Sequence, residues 1–338
     1  MTQHIQPAKS SGPDLAPSSK MGAQTGASSI NWTRFLVQYS NVLALIVILV
    51  VASLLSPYFL STRNIFNVLR GATMVGIVAI GMTYVILNRG IDLSVGSLVG
   101  LSAALTASFA DYGIGIAASI GLVSGLVLGL ANGLMITKLR LQPFIATLGM
   151  MIFARGLVFV YTNGSNIVVD KPTDAFTWLG SAYIGPVPVP VVVFVLIWAL
   201  CALVLRYTVF GREIFAVGAN EEAARLSGIN VDRNKIRVYC ISGVLAAFAG
   251  VIMASRLTVG EPNGGTLFEL DAIAATLIGG TTFDGGVGSV HGTVLGVLIL
   301  AFLSNVLNLL NISPYSQMLL KGVIIVLAVV VSEWRKRK

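Results

Sequence analysis

Residues 189–206 read V-P-V-V-V-F-V-L-I-W-A-L-C-A-L-V-L-R, an apolar run with no charge until Arg206 closes it. A bilayer core of about 30 Å takes about 20 apolar residues in helix, so this stretch has the length and chemistry of a membrane span. The same ruler laid along the chain marks about ten such segments, at 39–57, 65–87, 93–110, 114–137, 143–162, 189–206, 237–256, 268–282, 290–310 and 314–332. The eighth is the weakest, being short and interrupted by Gly279 and Gly280. Composition agrees: 55% of the 338 residues are hydrophobic and 11% charged, where soluble domains carry about 25% charge. The mean hydropathy is +0.86. The fold class predicted is all-α, a polytopic membrane helical bundle with some spans short or broken.

Residues 1–30 are rich in Ser, Gly, Ala, Pro and Gln and contain no apolar run, so 1–35 is expected to be a disordered cytoplasmic tail. The first apolar run begins near Asn41 and others follow it, which fits an uncleaved first helix better than a secretory signal. Residues 36–334 then form the transmembrane domain, and 335–338 a basic tail. The net charge of +8 could mark a nucleic-acid surface, but the Lys and Arg residues stand at the ends of apolar runs, where they act as topology signals. Cys201 and Cys240 fall inside apolar stretches, and His4 and His291 lie far apart. Neither pair suggests a disulfide, a metal site or a cofactor. The 36 glycines follow no collagen-like period and suit close helix packing in lipid.

Basic clusters fix an orientation. Arg206, Arg212, Arg225, Arg233, Lys235 and Arg237 lie in or beside the connection after the sixth segment, Lys138 and Arg140 follow the fourth, and Arg335 to Lys338 end the chain. The connection 163–188 holds only Lys171 as a base, beside Asp170 and Asp174. Ten spans with both termini in the cytoplasm put every basic cluster inside.

An internal likeness accompanies this pattern. Ile91 to Gly100 (I-D-L-S-V-G-S-L-V-G) aligns with Phe283 to Gly292 (F-D-G-G-V-G-S-V-H-G), and Ala79-Ile80 and Thr83 align with Ala272-Ile273 and Thr276 after a one-residue slip. A structural repeat and a chance likeness between Gly- and Ser-rich helices both account for it. On ten spans the copies run parallel.

The long basic connection, about 207–236, reads Gly211-Arg212-Glu213-Ile214-Phe215-Ala216-Val217-Gly218-Ala219-Asn220-Glu221-Glu222-Ala223-Ala224-Arg225-Leu226-Ser227-Gly228. Asn220 is a good N-cap, Glu221 and Glu222 suit the positive end of a helix, and Gly228 can end it in a left-handed cap. A helix of about two turns has too little core to stand alone and needs a partner surface, unless it only joins two spans.

Glu222 to Gly228 (E-A-A-R-L-S-G) resembles the cytoplasmic coupling loop of ABC-importer permeases, without the Ile-x-Leu-Pro tail of one large class. The surrounding G-R-E-I-F-A-V-G-A-N is similar instead to ribose-type monosaccharide ABC permeases. So are Gly90 to Gly96 (G-I-D-L-S-V-G), Pro143 to Gly149 (P-F-I-A-T-L-G) with Arg155-Gly156, and the Gly-rich stretch from Ala274 to Ser289. The likeness spans about residues 40–332. It implies an ATPase subunit at the cytoplasmic face that binds ATP and Mg, a periplasmic sugar-binding protein, a second permease subunit and an inner-membrane location. Gly211, Arg212, Gly218, Asn220 to Arg225 and Gly228 become the candidate coupling residues. The chain itself has no G-x-x-x-x-G-K-[ST] loop, so the energy source is expected in a partner.

Asp92, Ser94, Asn132, Thr147, Arg155 and Asn305 are candidates for the solute path. Each has a plainer reading. Asp92 could be a helix N-cap, Arg155 a paired structural arginine about 12 residues into its span, and the others interhelical hydrogen bonds. The competing functions are a permease for branched-chain amino acids or nucleosides, an ion-coupled transporter and a membrane enzyme. An ion-coupled transporter would place acids mid-membrane, whereas Asp92, Asp271 and Asp284 map to span ends. An enzyme would need a catalytic cluster, and the acids are dispersed.

Overall fold

The computed structural model describes Thr2 and residues 40–336. The expected tail at 1–35, His4 and the last two residues of the basic C-terminal run lie outside the described residues.

Long apolar runs become helices because lipid leaves a backbone no other way to satisfy its polar groups. The ten expected segments appear as α1 (Ser40–Leu55), α2 (Thr62–Leu87), α3 (Val95–Ser108), α4 (Ile114–Thr137), α5 (Pro143–Thr162), α7 (Val189–Tyr207), α10 (Val231–Leu257), α11 (Phe268–Ile278), α12 (Val290–Leu309) and α13 (Pro314–Lys336). Six of them, α2, α4, α5, α7, α10 and α12, are long and apolar enough to cross a membrane unaided. Local chemistry sets their ends. Ser61 accepts the Asn64 N–H to cap α2, Pro143 opens α5 where a missing N–H costs nothing, and Asn163 closes it with φ +50°.

The connections sort into two faces. On the basic face, Leu87 O accepts from Gly286 N, Asn88 donates to Asn234 and Lys138 pairs with Asp232. Turns 88–94, 138–142, 208–230 and 279–289 therefore lie together. On the other face, Asn64 meets Asn305, Ser255 binds Phe176 O and Ala110 packs with Val169 and Phe176. The described residues form an all-α membrane bundle.

The two long connections carry structure that the apolar ruler does not see. Connection 163–188 is structured: β1 (Ile167–Val168) pairs antiparallel with β4 (Val259–Gly260), β2 (Tyr183–Ile184) pairs with β3 (Val187–Pro188), and α6 (Asp174–Ser181) lies between. Two short helices, α8 (Val209–Ala219) and α9 (Glu221–Leu226), fill the basic connection.

The eighth segment ends earlier than expected, at Ile278, because Gly279 and then Gly280, at φ +92°, turn the chain away. At about 1.5 Å per residue, α3 and α11 are too short to span the bilayer, with 14 and 11 residues respectively. Each adjoins a turn lodged in the bundle, so they are the broken spans. The two likeness copies share one element order, helix–turn–helix: α2 to α3 and α11 to α12. They run parallel and touch. Thr83 Oγ1 lies 2.7 Å from Thr293 Oγ1, and Thr276 donates to Ala79 O.

Helices α4 and α10 pack backbone against backbone. A Cβ added to Gly125 would sit 2.3 Å from Gly243 O, and one added to Gly243 would sit 2.2 Å from Gly125 O. In lipid such backbone contact replaces the missing hydrophobic drive. The outer helices present large apolar side chains instead, among them Val47, Ile152, Leu196 and Leu319.

Candidate functional site

The basic connection is seated rather than floating. Thr208 caps α8 by accepting the Gly211 N–H. Ile214 and Val217 are fully buried beneath it. Gly211 and Gly218, seven residues apart, lie on the same side: a Cβ on Gly211 would meet Leu205 O, and one on Gly218 would meet Leu87 O and Gly286 N. Gly218 therefore lets the end of α8 rest on both turns at once. Arg212 stays exposed.

The second helix follows its caps. Asn220 Oδ1 accepts the Ala223 N–H at 3.0 Å. Gly228 sits at φ +85°, and Ile229 N donates to Ala224 O, the pattern of a glycine-terminated helix. Ala224 is buried with Val217 and Val231. Glu221 accepts from Lys235 at 2.7 Å and Arg225 at 3.4 Å, and Arg225 also lies 3.9 Å from Asp232. The two Arg225 pairs are exposed and contribute about 0–1 kcal/mol each, while the Lys235 pair is half-buried. Glu222 and Ala223 face outward, and Leu226 beside them is 85% exposed. A large apolar side chain held out from a charged surface is the chemistry of a docking anchor.

Arg89 joins this loop to the bundle, and the sequence pattern did not single it out. Held at φ +59°, it donates through Nε to Asp284 O at 2.6 Å and through Nη2 to Ala219 O at 2.8 Å. One side chain thus ties the first turn, the second turn and the end of α8. Its signal was weak: a lone base beside glycine after an apolar run.

Four of the six path candidates converge around the first turn. Asp92, fully buried, accepts from Ser94 N and Oγ through Oδ1 and from Ser242 through Oδ2. Asn132 donates to Ser94 Oγ at 2.9 Å, and Thr147 donates to Ile91 O at 3.1 Å. Asp92 is not the N-cap of α3: Ser94 holds that position, and the carboxylate closes a local turn over it. Ser242, on α10, completes the cluster from 150 residues away.

Arg155 and Asn305 stand apart. Arg155 Nη1 donates to Pro262 O and Gly264 O on the opposite face, crossing α3 where Gly100 has no side chain to block it. Asn305 exchanges two 2.9 Å hydrogen bonds with Asn64. Among the described residues no group of three or more His, Cys, Asp or Glu could hold a metal.

The sequence profile of the family described as "Branched-chain amino acid transport system / permease component" matches residues 64–329. The chain is 44% identical to the ribose import permease protein RbsC of Escherichia coli, over 92% of this chain and 98% of that one. It is 33% identical to the L-arabinose ABC transporter permease protein AraH of Azospirillum brasilense, over 100% and 98%. Against the xylose transport system permease protein XylH of Escherichia coli the identity is 35%, over 83% and 87%. No solved structure gives a significant match. A match over most of a bundle with this seated loop is decisive: the chain is a multi-pass membrane protein and belongs to this family of transport-system permease components.

Proposed function

We propose that the chain is the transmembrane subunit of an ABC importer that moves a monosaccharide of the pentose or hexose class into the cytoplasm. The observation that carries this is near-full-length similarity to permeases named for ribose, arabinose and xylose. The family description names branched-chain amino acids, but the relatives quoted above are all sugar permeases. The basic face is then cytoplasmic, with both termini inside an inner membrane. A separate ATPase holds ATP and Mg and docks on Glu222, Ala223 and Leu226. A periplasmic sugar-binding protein delivers solute to the opposite face, and a second permease subunit completes the path.

Coupling follows from the contacts. A push on α9 reaches α8 through their shared apolar cluster. From α8 it passes through Gly218 and Arg89 into both turns. Those turns end α2 and α11 and begin α3 and α12, so one displacement reaches four helices. Two packings of those helices suffice for alternating access.

The experiment is affinity purification of the tagged chain from native membranes. Recovery of an ATPase with a phosphate-binding loop and of a sugar-binding protein supports the reading. Recovery of the chain alone, under conditions that hold known membrane complexes together, contradicts it. Cysteine labelling at Arg233 from the cytoplasmic side and at Thr173 from outside checks the orientation.

A further inference from the structure

The polar residues on the face opposite the coupling loop are disposed differently from those around Asp92. Between α2, α11, α12 and α13 lies a cavity of about 300 Å³, at the small end of ligand sites. Its polar lining is Asn67, Asp271, Ser304, Asn305, Asn308 and Lys321. Asn67 and Asn308 are exposed. Asn67 lies in the second turn of α2 and Asn308 at the end of α12, so both sit near the outer end of the bundle. The Lys321 ammonium lies 2.9 Å from Asp271 Oδ2.

The cavity also keeps hydrogen-bonding capacity unspent. Asn305 is committed to Asn64, and Asn308 Oδ1 accepts from Gln317. The Asn308 amide hydrogens, the Ser304 hydroxyl and the whole Asn67 amide make no hydrogen bond among the described residues. Donors and acceptors are therefore both present, as a sugar hydroxyl requires. Among the described lining residues the only charges, Asp271 and Lys321, pair with each other, which suits a neutral solute.

We propose that this cleft is a weak subsite for a neutral, hydroxyl-rich sugar on the outer part of the transport route. The proposal rests on the monosaccharide reading given above. Weak contact is what a path needs, since a tight site would trap its solute. The residues act as a polar wall: Asn67 and Ser304 touch the sugar, and the Asp271–Lys321 pair holds α11 to α13 behind it.

The test uses the assembled importer in membrane vesicles, with ribose, L-arabinose and xylose offered in turn. Ser304→Cys and Asn67→Cys are each exposed to a charged, water-soluble thiol reagent, with the wild-type chain as background. The expected result is labelling of both, slowed several-fold by the sugar that the wild type transports. Asn67→Ala should reach the membrane at the normal level yet take up that sugar about fivefold more slowly, the worth of one lost hydrogen bond. Cysteines that are shielded in the assembled importer without sugar would place lipid or the second permease over the cleft, and would overturn the proposal. So would labelling indifferent to sugar together with normal uptake by Asn67→Ala. A wild-type importer that moves none of the three sugars would remove the monosaccharide reading itself, a failure distinct from unresponsive variants of a working sugar importer.

Discussion

The turns at 88–94 and 279–289 share a sequence pattern and a place in the fold, yet they do different work. The first turns a carboxylate inward, where Asp92 gathers Ser94 and Ser242 and binds α3 to α10. The second offers backbone: Asp284 O to Arg89 and Gly286 N to Leu87 O. Its two successive glycines at positive φ, Gly285 and Gly286, let that backbone come within reach. The first turn is pinned to the bundle by side chains, while the second is held to the first and to α8.

Substitutions at the junction can break that contrast. Gly218→Val puts a side chain 1.8 Å from Leu87 O, on the seam between both turns. The overpacking costs about 3 kcal/mol or lifts α8 away. ATP-driven uptake should vanish while the chain still inserts, and normal uptake would show that α8 does not rest there in the working importer. Asp92→Ala leaves Ser94 N, Ser94 Oγ and Ser242 Oγ without their acceptor. At about 1 kcal/mol per lost bond the bundle loses about 3 kcal/mol, visible as a lower thermal midpoint in detergent. An unchanged midpoint would mean that the cluster is not the support described.

Arg89→Ala removes two hydrogen bonds from an exposed arginine and costs about 2 kcal/mol in stability. Its larger effect should be on coupling: ATP hydrolysis continues while sugar uptake falls several-fold. Equal loss of both activities would make Arg89 merely structural. Thr83→Val is the mildest. It deletes one interhelical contact between the two copies, worth about 0.6 kcal/mol, and transport should barely change.

Much of this architecture was legible because the bilayer imposes one length on every span. Ten apolar runs became ten helices, with the largest boundary errors where α10 starts early at Val231, inside the basic connection, and where α11 stops early at Ile278. Helix α9 was legible through Asn220 and Gly228, residues whose caps are local. Its neighbour α8 was not, since eleven mixed residues fall below the apolar ruler, although Thr208 three positions before Gly211 was an available capping signal. What joined Asp92 to Ser242, or Arg89 to Ala219 and Asp284, could not be read locally, because those contacts link residues more than a hundred positions apart. The polar lining of the cleft was half legible. Asn305 and Asn308 stand out inside an apolar run, whereas Asn67 and Asp271 lie near helix starts, where polar residues pass unnoticed.

The most direct measurement is sugar uptake by vesicles containing the permease, its ATPase and its binding protein, with ionophores present to collapse every ion gradient. The account predicts uptake that starts when ATP is supplied, persists without any gradient and stops when ATP is exhausted. Uptake that survives ATP depletion, or that ends when the gradients collapse, would contradict it.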